Sequence, residues 1–485
     1  MGFDKMKVLL VDPPGIDGIA VGRVLGSFGT NKADQAWPPY DLQVMAGYCK
    51  SQGMVTRIID ANNLGLSYAE IKNEISRHKP DWVVYLTCFQ TFELDAAVAV
   101  AAKEVDKDIS TACISLSMPS VQAPEGKMRQ HPALDYIVWG EPEYPIMQLL
   151  KGRPPDTVEG IYYRQSDNVR FTGHAPRVKD LDELGIPVQE GLHFNLYRCP
   201  LSRRRPLTIV NCSRGCMNSC VHCQAGNFQR PMRYRSVENV LTELRQIKKL
   251  GVKEIKFYDC SLPSKRGFIE ELAGRMISER MDFTWHCNAR ADVLDAGILK
   301  LMKRSGCHTV SIGSESAIPE ILKGMKKNAT IEQIEHGINL VKKSGMKVLM
   351  YQTFGLEGET RQTMEGTYGF IKRLMPDYVT FGIVVPAPGT PFYNSLKEQG
   401  FLVDKQPHQQ DPTALASFNY PHLSGEEILA FTRNAYRNYY FSPEYILQRL
   451  ISLRSFNELR NSVTNALAVI KRYVIYGIIG LWVSS

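Results

Sequence analysis

The densest chemistry in this chain lies in thirteen residues, Asn211–Cys223, which read NCSRGCMNSCVHC. Cys216, Cys220 and Cys223 follow the spacing CxxxCxxC, short enough for one loop to wrap three thiolates around a single metal cluster. Three cysteines on a four-iron cubane leave its fourth iron open to an exchangeable ligand, unlike the four-cysteine set of an electron-transfer cluster. Gly215 permits a tight turn into the loop. Two other readings compete. A structural zinc site would take Cys212 as its fourth ligand, yet such sites place two ligand pairs on separate segments. Buried small hydrophobes would sit poorly on a polar, glycine-containing loop. A [4Fe–4S] cluster on Cys216, Cys220 and Cys223 is the expected occupant.

Such a loop must hang from a rigid frame. Apolar runs predict strands at Leu207–Asn211, Glu254–Tyr258, Thr284–Asn288, Thr309–Gly313, Lys347–Thr353 and Tyr378–Val385, alternating with helical patterns. Six βα units imply a partial (β/α)6 barrel over residues 206–400, with the cysteine loop after its first strand. Before it, residues 1–150 predict strands at Lys7–Val11, Thr56–Asp60, Trp82–Thr87, Thr111–Leu116 and Tyr136–Trp139. Helices are expected over Tyr40–Gly53, Tyr68–Arg77 and Glu93–Glu104. This is α/β patterning for a doubly wound, Rossmann-like parallel sheet, whose ligands sit beyond the carboxyl ends of the strands. Residues 151–205 read as a connector with a small hairpin, Tyr162–Arg164 against Val169–Phe171. Residues 401–485 turn helical, basic and aromatic.

Composition narrows the class. The chain has 485 residues, 44% hydrophobic and 22% charged, with a formal charge of +8. No Lys/Arg stripe interleaved with aromatics marks a nucleic-acid surface. The first residues lack the long apolar region of a signal peptide, so a cytoplasmic location is expected. In a reducing compartment the eleven cysteines are ligands, reactive thiols or buried hydrophobes rather than disulfides. The ten histidines form no HxH or HExxH group.

The cysteine motif resembles the signature of the radical SAM superfamily, and other segments are similar to it in order. Trp285–Asp292 (WHCNARAD), with Arg290, resembles the third-strand segment ending in Arg-x-Asp. Ser311–Ser316 (SIGSES) resembles the GxES strand end, with Gly313 and Glu315. Gly355–Thr360 (GLEGET) resembles a GLPGET turn, with Glu357 in place of proline, and Pro386–Thr390 matches PxPGT. His222 stands where the family usually has an aromatic residue. The resemblance implies reductive cleavage of S-adenosylmethionine (SAM) to a 5′-deoxyadenosyl radical. It also implies SAM contacts at His222, Gly313, Glu315 and Arg290, and an external flavodoxin- or ferredoxin-type reductant. Asp259 either orients SAM or substrate, or caps its own loop.

Residues 1–150 are similar to the cobalamin-binding domain of one radical SAM subgroup. The similarity rests on Asp12-Pro13-Pro14, Trp37-Pro38-Pro39-Tyr40 and Asp135–Glu143 (DYIVWGEPE), led into the barrel by Arg214-Gly215-Cys216. The stretch Ser115–Pro119 (SLSMP) replaces that domain's glycine pair, and no DxHxxG is present. The resemblance implies bound cobalamin; the alternative is a scaffold kept for packing or gating. Gly18, Gly22, Gly26 and Gly29 mark a loop that either lines the site or runs over the surface. Cys212, Cys260, Cys287 and Cys307 read as buried hydrophobes, in preference to an auxiliary cluster or a radical-quenching thiol.

From Arg433 the tail holds seven basic and two acidic residues and ends in the apolar run Tyr473–Trp482. It suits a helix in a membrane interface, or a last helix packed on the barrel. The resemblance implies C-methylation of an unactivated carbon in a small substrate, which the basic, aromatic tail suggests is hydrophobic. A non-methylating ring closure or C–C coupling on a tetrapyrrole or lipid is the enzyme alternative, and an iron–sulfur sensor is the non-enzyme one.

Overall fold

The computed structural model describes residues 5–16, 18–24, 35–166, 168–403 and 416–452. Its first sheet contains β1 (Lys7–Asp12), β2 (Val55–Asp60), β3 (Trp82–Leu86), β4 (Ser110–Ile114), β5 (Tyr136–Val138), β6 (Ile161–Gln165) and β7 (Asn168–Phe171). The order is β2-β1-β3-β4-β5-β6-β7, parallel through β5. Alternate residues of β1 divide between two cores: Leu9 and Val11 on one face, Val8 and Leu10 on the other. Both faces are covered, which is why β3 reads WVVYL with no polar residue.

Two details differ from the sequence reading. The hairpin β6–β7 is not a free-standing connector, because β6 pairs antiparallel with β5 and extends the sheet. The helix expected at Glu93–Glu104 is broken into Phe92–Asp95 and Ala97–Val105, with Asp95 turned inward. Its carboxylate meets the buried Arg23 guanidinium at 2.7 Å, and Asp12 meets the same group at 3.2 Å. Arg23 therefore bridges the ends of β1 and the segment after β3, the switch point of this sheet. Of the glycine loop, Gly26 and Gly29 lie outside the described residues.

The second sheet contains β8 (Leu207–Val210), β11 (Glu254–Phe257), β12 (Thr284–Ala289), β13 (Cys307–Glu315), β14 (Lys347–Phe354) and β15 (Tyr378–Ile383). All six run parallel in the order β15-β14-β13-β12-β11-β8, an open barrel. Outward residues such as Ile255, Phe257, Trp285 and Val310 join the helices in one large core. Lys256, His286, Asn288 and Ser311 face the other way, beside Ile209 and Leu349. A short antiparallel ribbon, β9 (Ser213–Arg214) with β10 (Arg233–Tyr234), ties together the two ends of the cysteine loop.

The helices Gly425–Tyr440 and Pro443–Ser452 close the open edge at β15. The Tyr440 hydroxyl accepts from Val379 N (2.9 Å) and donates to Val379 O (2.7 Å), satisfying edge groups of β15. This part of the tail is packed on the barrel, while Tyr473–Trp482 lies outside the described residues. No helix of the described residues is long and apolar enough to cross a membrane.

Candidate active site

The cysteine loop is anchored before it reaches its first cysteine. Asp259, at the end of β11, accepts from Cys212 N (3.0 Å) and Ser213 Oγ (2.5 Å). Arg214 forms a two-pronged ion pair with Glu143 at 2.5 and 3.0 Å, and Arg233 pairs with Glu141. The two acids are those of the GEPE turn after β5, so the loop is bolted to the first sheet. Gly215 has φ +87°, and a Cβ there would stand 2.3 Å from Gln229 O. Only glycine suits that position.

Beyond Gly215 the loop turns back on itself. Asn227 Nδ2 donates to the carbonyls of Cys220 (3.0 Å) and Cys223 (2.6 Å), and Val221 N donates to Met325 O (3.1 Å). The Cys260 thiol donates to Cys216, and this bond, with the Asn218 amide and the Arg290 and Lys327 charges, holds the Cys216 thiol down to about 6 against burial. Burial pushes Cys223 up to about 11 and raises Cys220. Cys212 is wholly buried and its thiol is driven up by desolvation. Cys287 and Cys307 are buried as expected, but Cys260 is exposed, a departure from that expectation.

Cys212 is packed in the hydrophobic core outside the barrel, away from the role of a fourth zinc ligand. A cubane asks for something else, one thiolate on each of three irons. Three thiols on one pinned loop, with Arg290 and Lys327 beside them to offset thiolate charge, fit that group.

Opposite the loop, β13 ends in a register shift between Gly313 and Glu315, and Glu315 has φ +63°. The Glu315 carboxylate meets Lys327 Nζ at 3.3 Å and accepts from Thr353 Oγ1 at 2.9 Å. Against the penalty of burial, Lys327 and His222 keep its carboxyl below the usual range. A Cβ on Gly313 would stand 2.5 Å from Glu315 Oε1 and 3.1 Å from Lys327 Nζ. His222 leaves its buried Nδ1 without a hydrogen-bond partner.

Arg290 donates to the carbonyls of Lys327 and Asn328, 2.9 Å each, and grips Asp292 at 2.8 Å. It thus shapes the turn that presents Lys327. The structure brings His222, Gly313, Glu315 and Arg290 around the cysteine loop, and turns the Asp259 carboxylate to the loop backbone. Lys327, Thr353 and Cys260 complete the set. For Lys327 the one sequence signal is its place in Lys326-Lys327-Asn328, beyond the short helix Pro319–Gly324 that follows the GSES strand end.

The carboxyl-end edge of the first sheet contacts this mouth. Ser120, after β4, donates to Pro388 O (3.1 Å) and accepts from Gln224 Nε2 (2.5 Å) in the cysteine loop's short helix. Ser115 and Ser117, in the stretch that lacks the glycine pair, bond each other at 2.9 Å. These small side chains stand in the stretch that takes the place of the glycine pair of a cobalamin-binding domain.

Residues 210–371 match the family model described as the radical SAM superfamily. An uncharacterized methyltransferase of Pyrococcus horikoshii is 30% identical over 459 residues, 93% of this chain and 96% of that protein. The anaerobic magnesium-protoporphyrin IX monomethyl ester cyclase of Rubrivivax gelatinosus is 29% identical over 387 residues, 76% of this chain and 68% of that one. The structure of the radical SAM methyltransferase TsrM from Kitasatospora setae, with cobalamin and a [4Fe–4S] cluster bound, shares the fold. Its TM-score is 0.65 at 17% identity, covering 88% of this chain and 81% of TsrM. With its cysteine loop on the first strand of an open parallel barrel, this chain belongs to the radical SAM superfamily.

Proposed function

We propose that this protein reductively cleaves SAM and transfers a methyl group to an unactivated carbon of a small molecule, with cobalamin as the methyl carrier. The observation that carries the reading is the apposition of two ligand-bearing edges. The thiols of Cys216, Cys220 and Cys223 stand at the barrel mouth, and the strand ends of the first sheet close over them through Ser120. When bound, the [4Fe–4S] cluster supplies the electron that breaks the sulfonium bond of SAM, and cobalamin supplies the methyl group.

The chain's own residues do the rest. Cys216, Cys220 and Cys223 would hold the cluster. Glu315 offers an anion to the ammonium end of SAM, Gly313 leaves room for it, and His222 presents a planar ring. Arg290 keeps Lys327 turned towards the site. Apposed walls exclude water from the reacting groups, the protein's main task where cofactors carry the hard chemistry.

The cyclase relative supports a second reading, ring closure without methylation. The reading extends to a flavodoxin- or ferredoxin-type electron donor and to a hydrophobic substrate reached at a membrane surface. Leu447, Leu450 and Ile451 are exposed on the last described helix, which supports the surface contact.

The test uses anaerobically reconstituted protein, methyl-labelled SAM and a strong reductant. 5′-Deoxyadenosine and S-adenosylhomocysteine together are expected. 5′-Deoxyadenosine alone would overturn methyl transfer and favour cyclisation; neither product would overturn both.

A further inference from the structure

The inner wall of the barrel changes character along β14. Val348, Met350 and Phe354 belong to the core shared with the helices, so Leu349, Tyr351 and Thr353 point the other way, into the lumen. Leu349, beside Ser311, is 7% exposed. Tyr351, two residues further along, is 37% exposed. Protein interiors are close-packed, so accessible surface on an inward side chain of a central strand marks open space within the barrel.

The neighbouring strands leave that space empty. Tyr351 pairs with Gly313 on one side and Thr380 on the other, so no bulky side chain stands beside it in its own layer. One layer towards the mouth, Thr353 pairs with Gly382. A Cβ on Gly382 would meet nothing nearer than Gln352 O, at 3.8 Å. Tyr351 therefore stands where the packed interior gives way to the open lumen.

Two contacts set this ring close to the chemistry. Thr353, the next inward residue, donates to Glu315 at 2.9 Å, the carboxylate offered above to SAM. Across the lumen stands Tyr258, which follows the outward Phe257 at the end of β11. Enclosure in the barrel, then the Tyr258 phenol, raises the Tyr351 phenol above its ordinary range and keeps it neutral. Tyr258 in turn meets Trp37 edge-on, with ring centroids 5.9 Å apart. Aromatic rings thus border the opening from both sides.

We infer that Tyr351 is a platform for the substrate, and that the substrate lays a flat, conjugated ring on it. The inference rests on the proposed enzymatic reading and narrows its hydrophobic substrate to a planar one. Any apolar group gains from covering the exposed phenol. Only a flat ring adds the stacking attraction between two π systems. A saturated ring of equal size covers the same surface without that addition. A cation is the other partner that an aromatic face attracts, and it makes the competing outcome. Tyr351 is in this way a specificity-determining residue.

The experiment measures binding, without reductant and so without turnover, on the anaerobically reconstituted protein with SAM. Calorimetric titrations use 2-naphthol as the flat probe, decahydro-2-naphthol as its saturated counterpart and tetramethylammonium as the cation. Crystals soaked with 6-bromo-2-naphthol locate the ring by the anomalous signal of bromine. Saturable binding of 2-naphthol is expected, weakened at least about tenfold in Tyr351→Ala and held within about threefold in Tyr351→Phe. Tyr351→Leu, which fills more of the space, should lose affinity as Tyr351→Ala does, and it replaces that variant if the latter melts early. Bromine density is expected over the Tyr351 ring. Absence of saturable binding, parental affinity in Tyr351→Leu, equal or tighter binding of the saturated or cationic probe, or bromine elsewhere would overturn the inference. SAM cleavage by the unaltered protein with reductant is scored separately, so failure of the enzymatic reading is distinguishable from failure of the platform.

Discussion

Arg214 and Glu143 meet in a two-pronged ion pair, 2.5 and 3.0 Å, and Glu143 is 1% exposed. One partner opens the cysteine loop and the other opens the helix that follows β5, so the pair couples cluster loop to domain packing. Arg214→Met leaves a buried carboxylate alone, a loss of about 3–5 kcal/mol. The expected outcome is a lowered calorimetric melting temperature together with lowered iron content. Arg214→Met combined with Glu143→Leu should recover most of the melting temperature. A single variant that melts like the parent would show the pair to be ornamental.

Each of Cys216→Ala, Cys220→Ala and Cys223→Ala should abolish stable cluster loading, read as iron and sulfide per chain and as loss of visible absorbance. Cys287→Ala, in the outward core, should load normally. Equal loading in all four would remove the assignment of the three ligands.

Glu315 and Lys327 share one ion pair at the barrel mouth. Glu315→Gln keeps the Thr353 contact in shape and removes the charge. Its affinity for SAM should fall about tenfold, equivalent to ~1.4 kcal/mol, measured by equilibrium dialysis under anaerobic conditions. Lys327→Met should weaken SAM binding as well. Unchanged affinity in both variants would move the SAM site elsewhere.

Stability should depend on pH through Glu359. Its Oε2 accepts from Gly355 N (2.7 Å) and Leu356 N (3.0 Å), while Oε1 is buried without a partner. Burial pushes the carboxyl from 4.5 up to about 8, against those two bonds. Between these values the folded chain holds a proton that the unfolded chain releases. Stability from this group is thus complete below about pH 4.5 and falls as pH rises towards 8. The full effect is on the order of a few kcal/mol. Glu359→Gln cannot ionise, so its melting temperature relative to the parent should rise from pH 5 to pH 8.5. A constant difference across that range would contradict the assignment.

Gly215→Ala tests the turn itself. The added methyl meets Gln229 O at 2.3 Å and forces a backbone shift at φ +87°. Iron content should drop although β3, in the interior of the first sheet, keeps its hydrogen-exchange protection.

How much of this was legible beforehand follows from range. Strands such as β3 announce themselves because a sheet buried on both faces needs an unbroken apolar run. The cysteine loop is legible because its three thiols lie within eight residues, Cys216–Cys223. The β6–β7 hairpin reads correctly as a hairpin, but its docking on β5 is decided by pairing across the sheet. Arg214 with Glu143, and Arg290 with the Lys327 turn, are partners separated by 71 and 37 residues. Nothing local marks either bond. Arg23 reads as part of a glycine loop, and only its burial against Asp12 and Asp95 shows it as a strut.

The ribbon of β9 and β10 joins the two ends of the cysteine loop by backbone bonds that involve no sulfur. The outline of the socket thus rests on bonds to which the three cysteine side chains contribute nothing.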